Sequence, residues 1–116
     1  MLYKSLIGRP YSTEWTCWSL IEYFYPQFKD LELEITDSIR TSRKIADSLL
    51  TDLKSRYVFT DDPQHLDIVM LNSQHVGVLL MPERSVMHVD KNMGTVVESE
   101  MVIKSKYPQA RFIHVL

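Results

Sequence analysis

Three side chains in this sequence have the types and spacing of an acyl-transfer site: the thiol of Cys17 and the imidazoles of His75 and His88. Cys17 is the only cysteine in the chain, and it follows Thr16 where a helix should begin. A thiolate there gains from unpaired backbone N–H groups and from the positive end of the helix dipole. Such a thiol is expected to alkylate below the free-cysteine pKa of about 8.5. A histidine in hydrogen-bond reach would take the thiol proton and later return it to the leaving group. His75 opens a predicted strand, and Gly77 beside it would let another element approach closely. His88 lies on the next predicted strand, and antiparallel neighbours bring such side chains together, so His88 is the expected orienting residue.

The elements that must position these groups fall into two parts. A helix is predicted from about Thr16 to Tyr25, with Leu20, Ile21 and Phe24 as its apolar stripe, Thr16 as N-cap and Pro26 as its stop. A second helix is predicted over 36–57, where Ile39, Ala46, Leu49, Leu50, Leu53 and Tyr57 recur at helical spacing. After Asp61-Asp62-Pro63 the pattern shortens to strands at 67–71, 75–81, 85–90 and 94–98, a helix near 99–105 and a strand at 111–115. The intervening turns have hairpin length, so the sheet should be antiparallel. Helices followed by a meander predict an α+β fold in a single domain over 1–116.

Composition narrows the function. A formal net charge of −2 and the lack of a Lys/Arg stripe argue against nucleic acid as partner. Residues 1–25 carry no secretory pattern and no apolar run reaches membrane-spanning length, so synthesis in the cytoplasm is expected. One cysteine excludes an internal disulfide and multi-cysteine zinc sites.

The segment Gly8-Arg9-Pro10-Tyr11, then Cys17-Trp18-Ser19-Leu20 with Tyr23 and Tyr25, resembles the nucleophile segment of NlpC-type papain-like cysteine peptidases. It is most similar to the compact versions in bacteriophage tail proteins. Asp67-Ile68-Val69-Met70-Leu71, then His75-Val76-Gly77-Val78, is similar to that family's Gly-Asp-Ile-Val and His-Val-Gly strands. Val86-Met87-His88-Val89, Gly94-Thr95-Val96-Val97 and Arg111-Phe112-Ile113 resemble the strands that follow, in the same order. The resemblance implies a papain-like fold, with N-terminal helices packed on a C-terminal antiparallel sheet of about five strands. The implied activity is hydrolysis of an amide bond in peptidoglycan stem peptides, commonly between D-glutamate and a diamino acid. Cys17 is then the nucleophile, His75 the general base and acid, and His88 the orienting member. Tyr11 would lie near the thiol and help bind the oxyanion, alongside the Cys17 backbone N–H. Thr16 stands where the family commonly has aspartate, and Leu66 where it has glycine. The stretch from Tyr11 to Cys17 is short and lacks the family's glycines, which implies a trimmed substrate groove.

Ordinary explanations compete with each of these assignments. A lone cysteine is commonly a buried small hydrophobe. His65 reads as surface and His114 as structural, and no His-x-x-x-His spacing supports a metal site built from His65, His75 and His88. Trp15 and Trp18 are candidates for the substrate-binding wall, Trp15 because it precedes the helix, although such aromatic residues commonly pack a helix onto its sheet. The reading is therefore a cysteine hydrolase without a cofactor, acting through an acyl-enzyme on a wall peptide. A phage tail or another targeting protein would deliver it. The rivals are a catalytically silent structural or interaction module of a phage particle, and a thiol acyltransferase or amidase on another acyl donor.

Overall fold

A computed structural model describes residues 2–26, 57–72 and 75–116. A 3-10 turn at Leu2–Leu6 leads through a loop to helix α1 (Cys17–Phe24). The sheet strands are β1 (Tyr57–Thr60), β2 (Ile68–Asn72), β3 (His75–Leu80), β4 (Ser85–Asp90), β5 (Gly94–Ser99) and β6 (Arg111–Val115). Helix α2 (Glu100–Lys106) lies between β5 and β6. The strands form one sheet in the order β1-β6-β2-β3-β4-β5, with every neighbouring pair antiparallel.

This architecture corrects the expected fold class. The described residues form a small β-rich domain, a six-stranded antiparallel sheet with only two short α-helices, and not N-terminal helices packed on a five-stranded papain-like sheet. Part of the difference lies at Tyr57–Thr60, where Tyr57 fits the helical period but begins an edge strand paired to β6. Residues 36–56 of the second predicted helix lie outside the described residues. From Asn72 onward the predicted elements agree with the structure to within a residue or so.

Alternation along the strands places apolar side chains on both faces of the sheet. One face gathers Ile68, Val76, Val78, Leu80, Met87, Val89 and Ile113 with Leu20, Ile21 and Trp18 of α1. The other gathers Val69, Leu71, Leu79 and Val86 with Ile103 of α2. Because side chains alternate along each strand, His75 and His88 fall on this second face, beside the residues that meet α2. Both helices begin at side-chain caps, Thr16 for α1 and Ser99 for α2. At Thr16 the box is reciprocal: its hydroxyl accepts from the Ser19 N–H, and the Thr16 N–H donates to Ser19 Oγ at 3.0 Å. Helix α1 ends at Phe24, and Tyr25 forms the C-cap, its N–H donating to the Ile21 carbonyl at 2.8 Å, with Pro26 next in the chain.

Candidate functional site

The start of α1 is fixed by the chain before it. The Gly8 N–H donates to the Thr95 carbonyl and the Thr95 N–H to the Arg9 carbonyl, both at 2.8 Å, so this segment runs beside the beginning of β5. A Cβ at Gly94 would meet the Arg9 carbonyl oxygen at 2.8 Å, so the close approach requires glycine. Gly94 also takes a φ of 79°, which ends the three-residue turn after Asp90. The Asp90 carboxylate holds that turn by accepting from the N–H groups of Asn92 and Met93. The result is a cavity of about 310 Å³ lined by Tyr11, Cys17, Asn72, His75, Lys91 and Tyr107, among others.

Cys17 is the first residue of α1, as expected, and only 6% of it is exposed. Burial pushes its thiol above the ordinary cysteine range, while the backbone N–H groups of Val76, Trp18 and Cys17 pull the other way. The expectation of a thiol titrating below free cysteine is therefore overturned: desolvation outweighs the helix terminus. His75 is half-buried at the start of β3, its pKa lowered to about 4 by burial and, secondarily, by the neighbouring His88. The thiol and the imidazole thus both rest in their neutral forms near pH 7.

Behind His75 runs a chain of hydrogen bonds. His75 Nε2 lies 2.9 Å from His88 Nδ1, with the two rings edge to face. His88, 1% exposed, places its Nε2 2.8 Å from Glu98 Oε1. Lys106 Nζ donates to Glu98 Oε2 at 2.7 Å, the main reason the Glu98 carboxyl is held below its usual range. β4 and β5 build this line together. His88 pairs with Val96, so Glu98 two residues on shares its face, and α2 returns Lys106 over it. Tyr107 flanks the outer imidazole at a ring-centroid distance of 6.0 Å.

The structure therefore brings Cys17, His75 and Tyr11 to one cavity and sets His88 directly behind His75. It does not bring Trp15 or Trp18 there. Trp15 is 5% exposed and donates its indole N–H to Thr95 Oγ1 at 2.7 Å; Trp18 is 1% exposed in the core beneath the sheet. Trp15 as groove wall is thus corrected, because its indole N–H finds a buried partner on β5 and draws the ring inward. Glu98 and Lys106 were not foreseen. Counting outward from the Asp90–Gly94 turn would have placed an inward carboxylate beside His88. Among the described residues, no group of three or more His, Cys, Asp or Glu side chains is arranged to hold a metal ion. No helix there is long and apolar enough to cross a membrane. No protein-family model matches the chain, and no curated protein or solved structure matches it.

Proposed function

We propose that the chain is a cysteine hydrolase that cleaves a peptide or amide bond through an acyl-enzyme on Cys17. The observation that carries the reading is that the sole thiol and His75 line the same cavity, with His88 hydrogen-bonded behind the imidazole. Because both groups rest neutral, His75 acts as a general base rather than as half of a preformed ion pair. Its ring takes the thiol proton as Sγ bonds to the carbonyl carbon. It gives that proton to the amine as the C–N bond breaks, and water then releases the acid by the same route in reverse. The Cys17 backbone N–H and the Tyr11 hydroxyl, from two residues that line the cavity, are the donors we assign to the developing oxyanion.

For the substrate we propose a peptidoglycan stem peptide, with a phage tail or other targeting protein as carrier. This rests on the order of the NlpC-like motifs around Cys17, His75 and His88 and not on the fold. One detail supports the motif likeness: Leu66, where glycine is expected, adopts a φ of 70°, the left-handed region glycine favours. The test is digestion of purified peptidoglycan with mass analysis of the fragments, using Cys17→Ser as control. New stem-peptide ends that disappear in the variant uphold the reading, and an unchanged sacculus rejects the substrate.

A second reading has its own observation. At 6% exposure Cys17 is buried deeply enough to serve as a small core residue of a structural or interaction module. In that case Cys17→Ala leaves every binding property intact, and no acyl donor labels the sulfur.

A further inference from the structure

A carboxylate that receives an N–H at one end and a lysine at the other leaves little freedom to the ring it touches. Ionised Glu98 only accepts hydrogen bonds, so at its 2.8 Å contact the proton sits on His88 Nε2. A neutral His88 then has a bare Nδ1, which at 2.9 Å can only accept, so His75 Nε2 carries the hydrogen between the rings. The remaining nitrogen of His75, Nδ1, is left with its lone pair. We propose that Glu98, held by Lys106, is a positioning residue that selects through His88 which nitrogen of His75 is basic. Its consequence for Cys17 rests on the hydrolase reading above; the choice of tautomer does not.

The charged and titratable groups around the line come from three elements. Glu98 faces it from β5, Lys106 and Tyr107 from α2 and its end, and Asp90 and Lys91 from the β4–β5 turn. Of these, Glu98 is the group in direct hydrogen-bond contact with His88 Nε2. Lys106 also determines what an amide would do in its place. In Glu98→Gln, one oxygen must serve either the Lys106 ammonium or the His88 N–H. The ammonium is the stronger donor. The amide then turns its NH₂ toward His88, Nε2 becomes an acceptor, and the proton pattern reverses through both rings. Removing the competitor in Glu98→Gln/Lys106→Met frees the oxygen to face His88 again.

Imidazole nitrogen–proton correlation spectra of the ¹⁵N-labelled full chain, recorded near neutral pH, read these states directly. The wild type should show protonated Nε2 and bare Nδ1 on both His75 and His88. Glu98→Gln should move both protons to Nδ1, and the double variant should restore them. Hydrolysis should follow, with kcat falling by about 10²–10⁴-fold in Glu98→Gln as expected for a wrong tautomer, and KM little changed. Unchanged tautomers in Glu98→Gln overturn the proposal. So does a wild-type spectrum with a bare Nε2 on either ring or with His88 doubly protonated, a result that needs no variant to fold. Reversal of the tautomers with hydrolysis intact upholds control by Glu98 and instead rejects His75 as the base.

Discussion

Among the described residues the sheet carries two imidazole–carboxylate contacts, and they have opposite surroundings. At one end His114 Nδ1 lies 2.8 Å from Asp67 Oδ1, while Asp67 Oδ2 accepts from the Gln64 N–H at 2.7 Å. Asp67 is 2% exposed, its imidazole partner is half-open, and the pair fastens the turn before β2 to β6. At the other end the carboxylate is Glu98, and two imidazoles in series run from it to a cavity lined by Cys17 and His75. The same pair of functional groups therefore fastens a turn in one place and, on the hydrolase reading we propose, serves proton transfer in the other. What separates them is a thiol and a cavity beside the outer ring.

The largest effect should come from Cys17, the proposed nucleophile. Cys17→Ser is expected to lower wall-peptide hydrolysis by at least about 10³-fold, measured by fragment release, and His75→Ala by a similar amount. His114→Ala should leave that rate unchanged, which separates the two contacts by function. The comparison reverses for folding. Asp67→Ala strands the Gln64 N–H and the His114 ring, and should cost about 1–3 kcal/mol in urea unfolding with kcat unaltered.

Acid should sharpen the contrast in the same direction. Because His75 is held near pKa 4 against an ordinary 6.5, the unfolded chain binds a proton in that interval that the folded chain does not. Stability therefore declines as pH drops from about 6.5 to 4, by up to about 3 kcal/mol, and His75→Gln should flatten the decline. The smallest signal is in alkylation. The buried thiol should react slowly with iodoacetamide until pH passes the free-cysteine value of about 8.5. An acid-shifted profile would mean that the thiol and His75 rest as an ion pair.

Much of this was legible in the residues. The turn chemistry at 82–84 and 91–94 fixed β4 and its neighbours, and Thr16 marked the start of α1 because a hydroxyl before a helical stripe is a local signal. The thiol could be nominated from its place at the start of a capped helix, and His75 and His88 because hairpins set their register. β1 was not legible: Tyr57 falls on the apolar helical period of 36–57, and the short run Val58-Phe59-Thr60 becomes an edge strand through its pairing with β6. The burial of Trp15 depends on Thr95, far along the chain, and the direction of the Cys17 shift depends on how much protein covers the sulfur. Glu98 looked like any charge on an edge strand until the return of Lys106 gave it a partner.

Gly77 sits opposite His88, and a methyl group there would lie 2.6 Å from the Met87 carbonyl oxygen and 3.2 Å from the His88 Cβ. The width of the seam between β3 and β4 is thus set by a hydrogen atom, and no larger side chain fits without prying the two ladders apart. Selection is therefore left no room to adjust the histidine couple from position 77. Retuning of its basicity is left to the outer strand, the helix above it and the turn that carries Asp90 and Lys91.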